Sequence, residues 1–298
     1  MEKKDKEFRE PRKILYPYGF TLANLKAEMR AIWENNTKEW KIELTYPINF
    51  ARQCIEPLIF LLPFIIYGLV LIGGRHSDSL LQLVGTSDIV TYIFTGYIIM
   101  GFIGTSVWAM GFSIRKEQWY GTLESIYVTP TSRISFVLGM ALHSLLHQGI
   151  AVFFEFSAIY AIFGLALKIE GILPALVIFA LMIFALCGFG IFVASFALIL
   201  KEGWIISEGL YSVLIILSPV AYPLTVLPNI AQQISKAFPT APALIGMRSF
   251  LIENYTPEVI GNVFLHLLAL DVIWIIFGVI IFSVTDIYVR KRGTLGKY

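Results

Sequence analysis

Two acidic residues stand inside long apolar segments of the chain. Glu155 and Asp271 each lie deep within such a segment, where a charged group is costly unless it faces water or a partner. One interpretation is a relay that carries protons or ions across a membrane. The simpler interpretation, which we favour, is that each carboxyl group makes a hydrogen bond or a buried pair with a neighbouring helix.

Two histidines four residues apart form a second candidate. His143 and His147 share one face of a helix, a spacing that suits two ligands of a metal ion. The sequence supplies no third ligand nearby, so we expect a structural contact instead, with Gln148 or with a neighbouring helix. Both cysteines, Cys54 and Cys187, fall within apolar segments. We therefore expect no metal site and no disulfide.

A nucleotide site is not predicted either. The sequence has no phosphate-binding loop of the form Gly-x-x-x-x-Gly-Lys-Ser/Thr. Its one Gly-Lys pair, Gly296-Lys297, lacks the preceding spacing and the hydroxyl group that would hold magnesium. A net charge of +2 gives no general basic surface for nucleic acid. We expect the chain itself to bind no cofactor and no nucleic acid.

The longest polar interruption in the first half of the chain is residues 115–133, which we call the elbow. A helix over about 114–130 would turn its apolar residues to the bilayer or the other helices, and its polar residues to a partner. The apolar set is Ile114, Trp119, Leu123, Ile126 and Tyr127, and the polar set is Arg115, Glu117, Gln118 and Glu124. The alternative is a plain polar loop, although a few residues would have been enough to connect the two segments.

The composition indicates a membrane protein. Of 298 residues, 57% are hydrophobic and only 15% are charged, against roughly 25% charged in soluble domains. Several apolar segments are long enough to cross a bilayer. We predict an all-α membrane protein with six transmembrane helices in a domain of residues 47–286, between flanking segments 1–46 and 287–298. The predicted spans are about residues 47–72, 89–114, 134–165, 173–200, 204–220 and 259–284.

Two further segments are amphipathic or broken by proline. Residues 21–44 carry an apolar stripe with two tryptophans under a charged face, which predicts a helix in the membrane interface. The alternative is a soluble helix packed on another protein. Residues 218–242 contain five prolines in an apolar context, which predicts a re-entrant or interfacial hairpin before the sixth span.

The distribution of basic residues predicts the orientation. Six spans place both termini on one side, and that side then carries all but four of the 23 Lys and Arg residues. Because basic residues concentrate in the cytoplasm, we predict a multi-pass protein of the cell membrane with cytoplasmic termini. The elbow is then cytoplasmic and the hairpin extracytoplasmic.

The elbow resembles the motif between the second and third spans of the type-2 ABC exporter permeases. The shared residues are Gly121-Thr122-Leu123-Glu124, Thr129-Pro130 and Ser132-Arg133. Residues 218–223, Leu227-Pro228 and the N-terminal helix are similar to the family as well, so the resemblance covers nearly the whole chain beyond residue 20. The chain departs from the family pattern at the bulky Gln118-Trp119-Tyr120 and at Phe238-Pro239-Thr240, where Asn-Pro is frequent.

The resemblance implies a transporter in which two permeases work with two ABC ATPase subunits. The second permease is either another copy or a homologue, with the first and fifth spans at the interface. The elbow would be the coupling helix seated on the ATPase, which would hold ATP and Mg²⁺. The resemblance assigns this coupling role to Glu117, Gln118, Gly121, Thr122, Leu123, Glu124, Thr129, Pro130 and Arg133.

The sequence thus predicts the permease subunit of an ATP-driven exporter, with no enzymatic activity of its own. Its cargo would be hydrophobic or amphiphilic: a drug, a lipid-linked molecule or a glycan. The alternative is an ion-coupled carrier or channel that uses Glu155 and Asp271 and needs no ATPase. A membrane enzyme would need a catalytic constellation that we do not find. Candidate residues of the transport path are Tyr92, Tyr97, Glu155, Glu208 and Asp271.

Overall fold

The computed structural model describes residues 22–200, 203–252 and 257–292. Within these ranges the chain is helical and contains no strand, apart from an isolated bridge between His76 and Asp88. Most of the segment 1–46 that precedes the first predicted span is described, but residues 1–21 lie outside these ranges. The same holds for residues 201–202 and 293–298, which belong to the fourth-to-fifth connection and the C-terminal segment.

The described residues form twelve α-helices. A π-helical turn, Thr105–Met110, extends α4, and 3₁₀ turns at Ile169–Gly171 and Leu224–Val226 precede α8 and α10. The α-helices are α1 (Leu22–Thr45), α2 (Pro47–Ile72), α3 (Asp78–Val84), α4 (Ile89–Gly104), α5 (Ser113–Trp119), α6 (Leu123–Val128), α7 (Arg133–Phe163), α8 (Ile172–Ile199), α9 (Gly203–Leu217), α10 (Asn229–Lys236), α11 (Thr240–Leu251) and α12 (Pro257–Arg292).

Five helical segments in the described part of the chain are long and apolar enough to cross a membrane. They are Pro47–Ile72, Ile89–Met110, Arg133–Phe163, Ile169–Ile199 and Gly261–Val289. The remaining predicted span, the fifth along the chain, corresponds to α9, which has only 15 residues. Its length of about 22 Å is shorter than the hydrocarbon core of roughly 30 Å. Five of the predicted spans are therefore found, and α9 does not qualify as a sixth by length.

The most extensive contact between two long helices joins α8 and α12. Gly188 and Gly278 face each other there, and a Cβ atom on Gly278 would lie 2.2 Å from the carbonyl oxygen of Gly188. Small residues let helix backbones come this close in membrane proteins, where dispersion contacts replace the hydrophobic effect as the main attraction. Buried side chains of α4, α8, α11 and α12 continue this contact into one apolar core.

The bundle has two distinct ends. At one end, which we call the elbow end, the elbow meets α1 and the last turns of α12 through contacts such as that of the Tyr127 hydroxyl with Asp286, at 3.0 Å. At the other end, the hairpin end, α11 lies near the starts of α4 and α8, and α10 packs against α9 and α11. Arg248 of α11 fixes this end, because its guanidinium donates to the carbonyl oxygens of Tyr92, Pro219 and Val220 at 2.6–2.9 Å.

Candidate functional site at the elbow and an adjoining cavity

The elbow is not one helix. Gly121, at φ 69°, separates α5 from α6 in a left-handed conformation. The backbone amides of Gly121 and Thr122 donate to the carbonyl oxygens of Gln118 and Glu117, at 3.1 and 3.0 Å, which is a helix-ending motif that favours glycine. The prediction of a continuous helix over about 114–130 is therefore wrong, because this glycine ends α5 before α6 begins.

The second short helix is delimited by proline and serine. Thr129 is extended, at φ −70° and ψ 149°, as expected of a residue that precedes proline. The Ser132 hydroxyl then caps α7 by accepting from the amide of Ile134 at 3.2 Å. The amide of Ser132 itself donates to both carboxylate oxygens of Glu28, at 3.1 Å each, so α1 holds the elbow where α7 starts.

Arg133 stabilises the elbow by hydrogen bonds to its backbone. It is buried, and its guanidinium donates to the carbonyl oxygens of Tyr127 at 2.7 Å and Thr129 at 3.3 Å, and also to that of Thr131. The same group lies 4.5 Å from the ring centre of Tyr127. Because α6 has too few residues to be stable alone, these contacts with the first residue of α7 hold α6 in place.

A charge network joins α1 to α5. Lys38 lies 2.8 Å from Glu117 and 3.0 Å from Glu39, and Lys116 lies 2.6 Å from the other oxygen of Glu39. The hydroxyl of Thr122 also donates to Glu117. Two lysines and two carboxylates thus neutralise one another, and both carboxylates are almost completely buried.

The network shifts the pKa values of two members. Burial alone would raise the pKa of Glu39, but the hydrogen bonds and charges of Lys116 and Lys38 outweigh burial and lower that pKa below its ordinary 4.5. Burial would lower the pKa of Lys38, but its bonds to Glu117 and Glu39 outweigh burial and raise that pKa above 10.5. Both groups are therefore charged at neutral pH.

This network corrects the predicted orientation of the elbow. Glu117 and Gln118 were expected to face a partner, but both are buried inside the chain. The reason is that α1, which lies 79 residues earlier in the sequence, supplies Lys38 as an internal partner of Glu117. Ile114 and Leu123 are buried against the other helices, as predicted.

The outer surface of the elbow combines large apolar side chains with one acid. Trp119, Tyr120 and Val128 are 64%, 72% and 86% exposed, and Glu124 is also exposed. Exposed residues between and after them complete this surface, which we call the elbow surface: Gly121, Thr122, Ser125, Thr129 and Pro130. Of the nine residues with a predicted coupling role, five lie on this surface (Gly121, Thr122, Glu124, Thr129 and Pro130), and the other four (Glu117, Gln118, Leu123 and Arg133) are buried.

A cavity of about 440 Å³, which we call the α7 cavity, lies behind the elbow between α2, α4, α7 and α9. Its lining includes Tyr97 and Glu155, two of the predicted transport-path residues, together with Trp108 and Tyr211. Trp108 belongs to the π-helical turn, a feature that often occurs at functional sites. A second cavity of about 410 Å³ shares part of this lining and extends to Lys116 and Tyr120 at the elbow.

The two histidines face an acid that the sequence did not suggest. Glu43, in the last turn of α1, lies 3.1 Å from Nε2 of His143 and 3.2 Å from Nε2 of His147. The expected structural contact of the pair with a neighbouring helix is thus present, and its partner is α1. No local pattern could have identified Glu43, because a hundred residues separate it from the histidines.

The other predicted transport-path residues lie elsewhere. Tyr92 is buried at the hairpin end, where the guanidinium of Arg248 lies 3.5 Å from its ring centre. Glu208 is exposed on α9, and Asp271 is buried on α12. None of the three lines the α7 cavity. Arg248 itself could have been noticed in the sequence, since an arginine within an apolar segment needs partners.

A second arginine, Arg75, also fixes the hairpin end, through contacts that we call the Arg75 clamp. Arg75 donates to both carboxylate oxygens of Asp88 at 2.8 and 3.0 Å, and to the carbonyl oxygens of Phe163 and Gly164 at the end of α7. Burial alone would raise the pKa of Asp88, but Arg75 and Thr91 outweigh burial and lower it. This clamp ties the start of α4 to the end of α7.

Comparison with known proteins identifies the family. The family described as ABC-2 type transporter matches residues 30–252, which is well over half of the chain and extends from α1 to the end of α11. No curated protein matches the chain. The resemblance noted in the elbow motif is confirmed by this match. The chain therefore belongs to the ABC-2 type transporter family, and it is a multi-pass transmembrane permease subunit of an ABC transporter.

Proposed function

We propose that the chain is the permease of an ATP-driven exporter that moves a hydrophobic or amphiphilic substrate out of the cytoplasm or the inner leaflet. Two permeases and two separate ATP-binding subunits form the working transporter, and the ATP-binding subunits hold ATP and Mg²⁺. Two facts support the assignment of ATP binding to a separate subunit. Members of the family are membrane subunits that generally work with ATP-binding subunits, and this sequence has no phosphate-binding loop.

The observation that carries the proposal is the elbow surface. Large apolar side chains such as Trp119, Tyr120 and Val128 are costly to leave in water at a turn between helices. A partner that covers them recovers this free energy, and exposed aromatic residues are frequent anchors of protein interfaces. The elbow surface is therefore the docking site for the ATP-binding subunit.

The same geometry explains how movement would be transmitted. The elbow is held to α1 by the pairs of Lys38 with Glu117 and Lys116 with Glu39. It is held to α12 by the bond between Tyr127 and Asp286. When nucleotide binding draws the ATP-binding subunits together, a displaced elbow cannot move alone. It carries α1, α7 and α12 with it and changes access to the α7 cavity.

The orientation follows from charge. The elbow end holds the elbow and α1, where basic residues concentrate, so it is the cytoplasmic end. The exposed apolar residues of α1, namely Leu25, Met29 and Trp33, then lie against the inner leaflet. At the opposite end α11 enters the membrane from outside and completes the short crossing of α9.

A second permease covers the apolar faces of α2 and α9. Of the five long spans, α2 has the smallest buried share, 17%. Some of its exposed residues, such as Phe60, lie beside the α7 cavity. A dimer formed through α2 and α9 would therefore place the two α7 cavities near the axis between the permeases.

The test uses matched substitutions of Gly121. Alanine strains the left-handed conformation, whereas asparagine tolerates it, and a Cβ atom there meets nothing within 4 Å. The transporter is purified from native membranes through this chain, and co-purifying subunits with a phosphate-binding loop are identified by mass spectrometry. We expect wild type and Gly121→Asn to retain the ATP-binding subunit and ATP hydrolysis, and Gly121→Ala to lose a large part of both. Wild-type protein that transports with an ion gradient and no ATP-binding subunit would refute the proposal.

A further inference from the structure

Glu155 does not make the hydrogen bond or buried pair with a neighbouring helix that the sequence led us to expect. Among the described residues that line the α7 cavity, it is the one carboxylate without a partner. The side chain is 1% exposed, and neither of its oxygen atoms has a hydrogen-bond partner in the described part of the chain. The other two lining carboxylates are paired, Glu43 with the two histidines and Glu56 with Arg52. A buried carboxylate without a partner is costly. Glu155 therefore destabilises the protein unless a ligand supplies the missing partner.

The other residues of the lining indicate which kind of ligand group would pair with Glu155. No Lys or Arg is among the described residues that line the cavity. Four aromatic side chains are present instead: Phe60, Tyr97, Trp108 and Tyr211. Aromatic faces and a carboxylate both attract a cation, and the attraction to the rings grows when the cation leaves water. An anion would instead meet the unpaired carboxylate of Glu155 and no Lys or Arg in the described part of this lining.

The size and shape of the cavity suit an organic ion better than a metal ion. Its volume is about 440 Å³, within the range of small-molecule sites. Its lining follows α7 from His143 to Glu155, which is about 18 Å along the helix axis. The second cavity shares His143 and Ser144 with it and leads towards the elbow. A ligand that enters at the elbow end can therefore reach Glu155.

We propose that the α7 cavity binds a hydrophobic monovalent cation, with the charge beside the Glu155 carboxylate and the apolar groups against the aromatic residues. This substrate class rests on the proposed export function, but the binding site is a property of this chain alone. Binding is therefore measured without any ATP-binding subunit. If no ATP-binding subunit is found, cation binding can still be observed. If no cation binds, the proposal of ATP-driven export is still open to its own test.

The experiment measures equilibrium binding to the full chain in phosphatidylcholine nanodiscs. The probes are radiolabelled tetraphenylphosphonium and tetraphenylborate, ions of similar size and opposite charge, with empty nanodiscs as the baseline. We expect wild type to bind the cation in preference to the anion. The isosteric Glu155→Gln should raise the Kd for the cation at least tenfold, and Glu170→Gln, which changes an exposed acid in the turn before α8, should leave that Kd unchanged.

A second variant keeps the test independent of the stability of Glu155→Gln. A side chain at Gly104 projects into the cavity, and its Cβ atom would lie 3.7 Å from the Tyr211 ring, an ordinary contact. Gly104→Leu should therefore fold and lose cation binding while Glu155 stays intact. Cation binding that survives both substitutions, equal binding of the two ions, or no binding above empty nanodiscs would each overturn the inference.

Discussion

The charge network between α1 and the elbow gives a prediction that can be worked out from the structure. The perturbation is Glu39→Gln, which removes a carboxylate whose side chain is 4% exposed and which contacts both Lys116 and Lys38. The substitution keeps the shape of the side chain and leaves the network with one excess positive charge. Any loss of stability can then be assigned to charge rather than to packing.

The magnitude follows from the two contacts. A hydrogen bond to a charged group contributes about 1.5–3 kcal/mol, but Lys38 and Lys116 are 40% and 30% exposed, so solvent screens part of this. We expect a loss of about 2 kcal/mol in the free energy of unfolding. For a soluble domain of about 150–250 residues, a loss of this size would lower the unfolding temperature by roughly 4–8 °C.

The assay is thermal unfolding in detergent micelles, combined with a double-mutant cycle. Glu39→Gln and Lys116→Met should be coupled by about 1–2 kcal/mol, because each removes the same contact. The control is Glu34→Gln, since Glu34 pairs with Arg30 at 3.8 Å while its own side chain is 63% exposed. That substitution should change stability by less than about 0.5 kcal/mol.

The pH dependence supplies an independent check. The pKa of Glu39 is lowered by folding, so its stabilising contribution is complete above the ordinary pKa of 4.5 and disappears as the pH falls through the folded-state value. The difference between wild type and Glu39→Gln should therefore be constant near neutral pH and shrink below about pH 4.5. A difference that is no larger than that of Glu34→Gln, or that does not shrink in acid, would refute this reasoning.

Two further substitutions test the packing of the bundle by the same unfolding assay. Gly278→Val places a Cβ atom against the carbonyl oxygen of Gly188 and should destabilise the protein by about 3 kcal/mol. The control is Gly261→Ala, whose Cβ atom would lie in open space and should not destabilise the protein. Equal effects of the two substitutions would contradict the close contact. Arg248→Lys removes the planar fork that binds three carbonyl oxygens and should make residues 218–223 much more sensitive to protease, while Lys236→Ala, on the exposed side of α10, should not.

Local sequence patterns predicted the long helices well. Apolar segments of sufficient length identified five spans close to their observed bounds, because length and composition alone decide whether a helix can cross a bilayer. The α9 helix was harder to predict. Its apolar segment continues to Val220, but Leu217 ends the helix and the prolines that follow redirect the chain into α10 and α11.

The elbow shows where local patterns were not sufficient. The motif around Gly121 led to the correct family, but the prediction treated residues on both sides of Gly121 as one continuous helix. Because Gly121 ends α5, the residues on either side of it no longer share one helix axis. The burial of Glu117 depends on Lys38 and therefore on the packing of α1, which no pattern near residue 117 encodes.

The α7 cavity was only partly accessible to sequence reasoning. Glu155 and Tyr97 were both candidates, since a charged or aromatic residue within a span suggests function. The sequence could not show that they share a cavity while Asp271 lies elsewhere, because helix periodicity does not determine which helices become neighbours. The contact of Glu43 with the two histidines depends on the same kind of long-range packing.

The most direct test of the central claim is a site-specific photocrosslink from the elbow surface. A photoreactive amino acid is placed at Val128, which is 86% exposed on the elbow, or at Leu71, which is 84% exposed near the opposite end of α2. Illumination of native membranes should join position 128, and not position 71, to a subunit that carries a phosphate-binding loop. Crosslinks to such a subunit from position 71, or from neither position, would contradict the assignment of the elbow as its docking site.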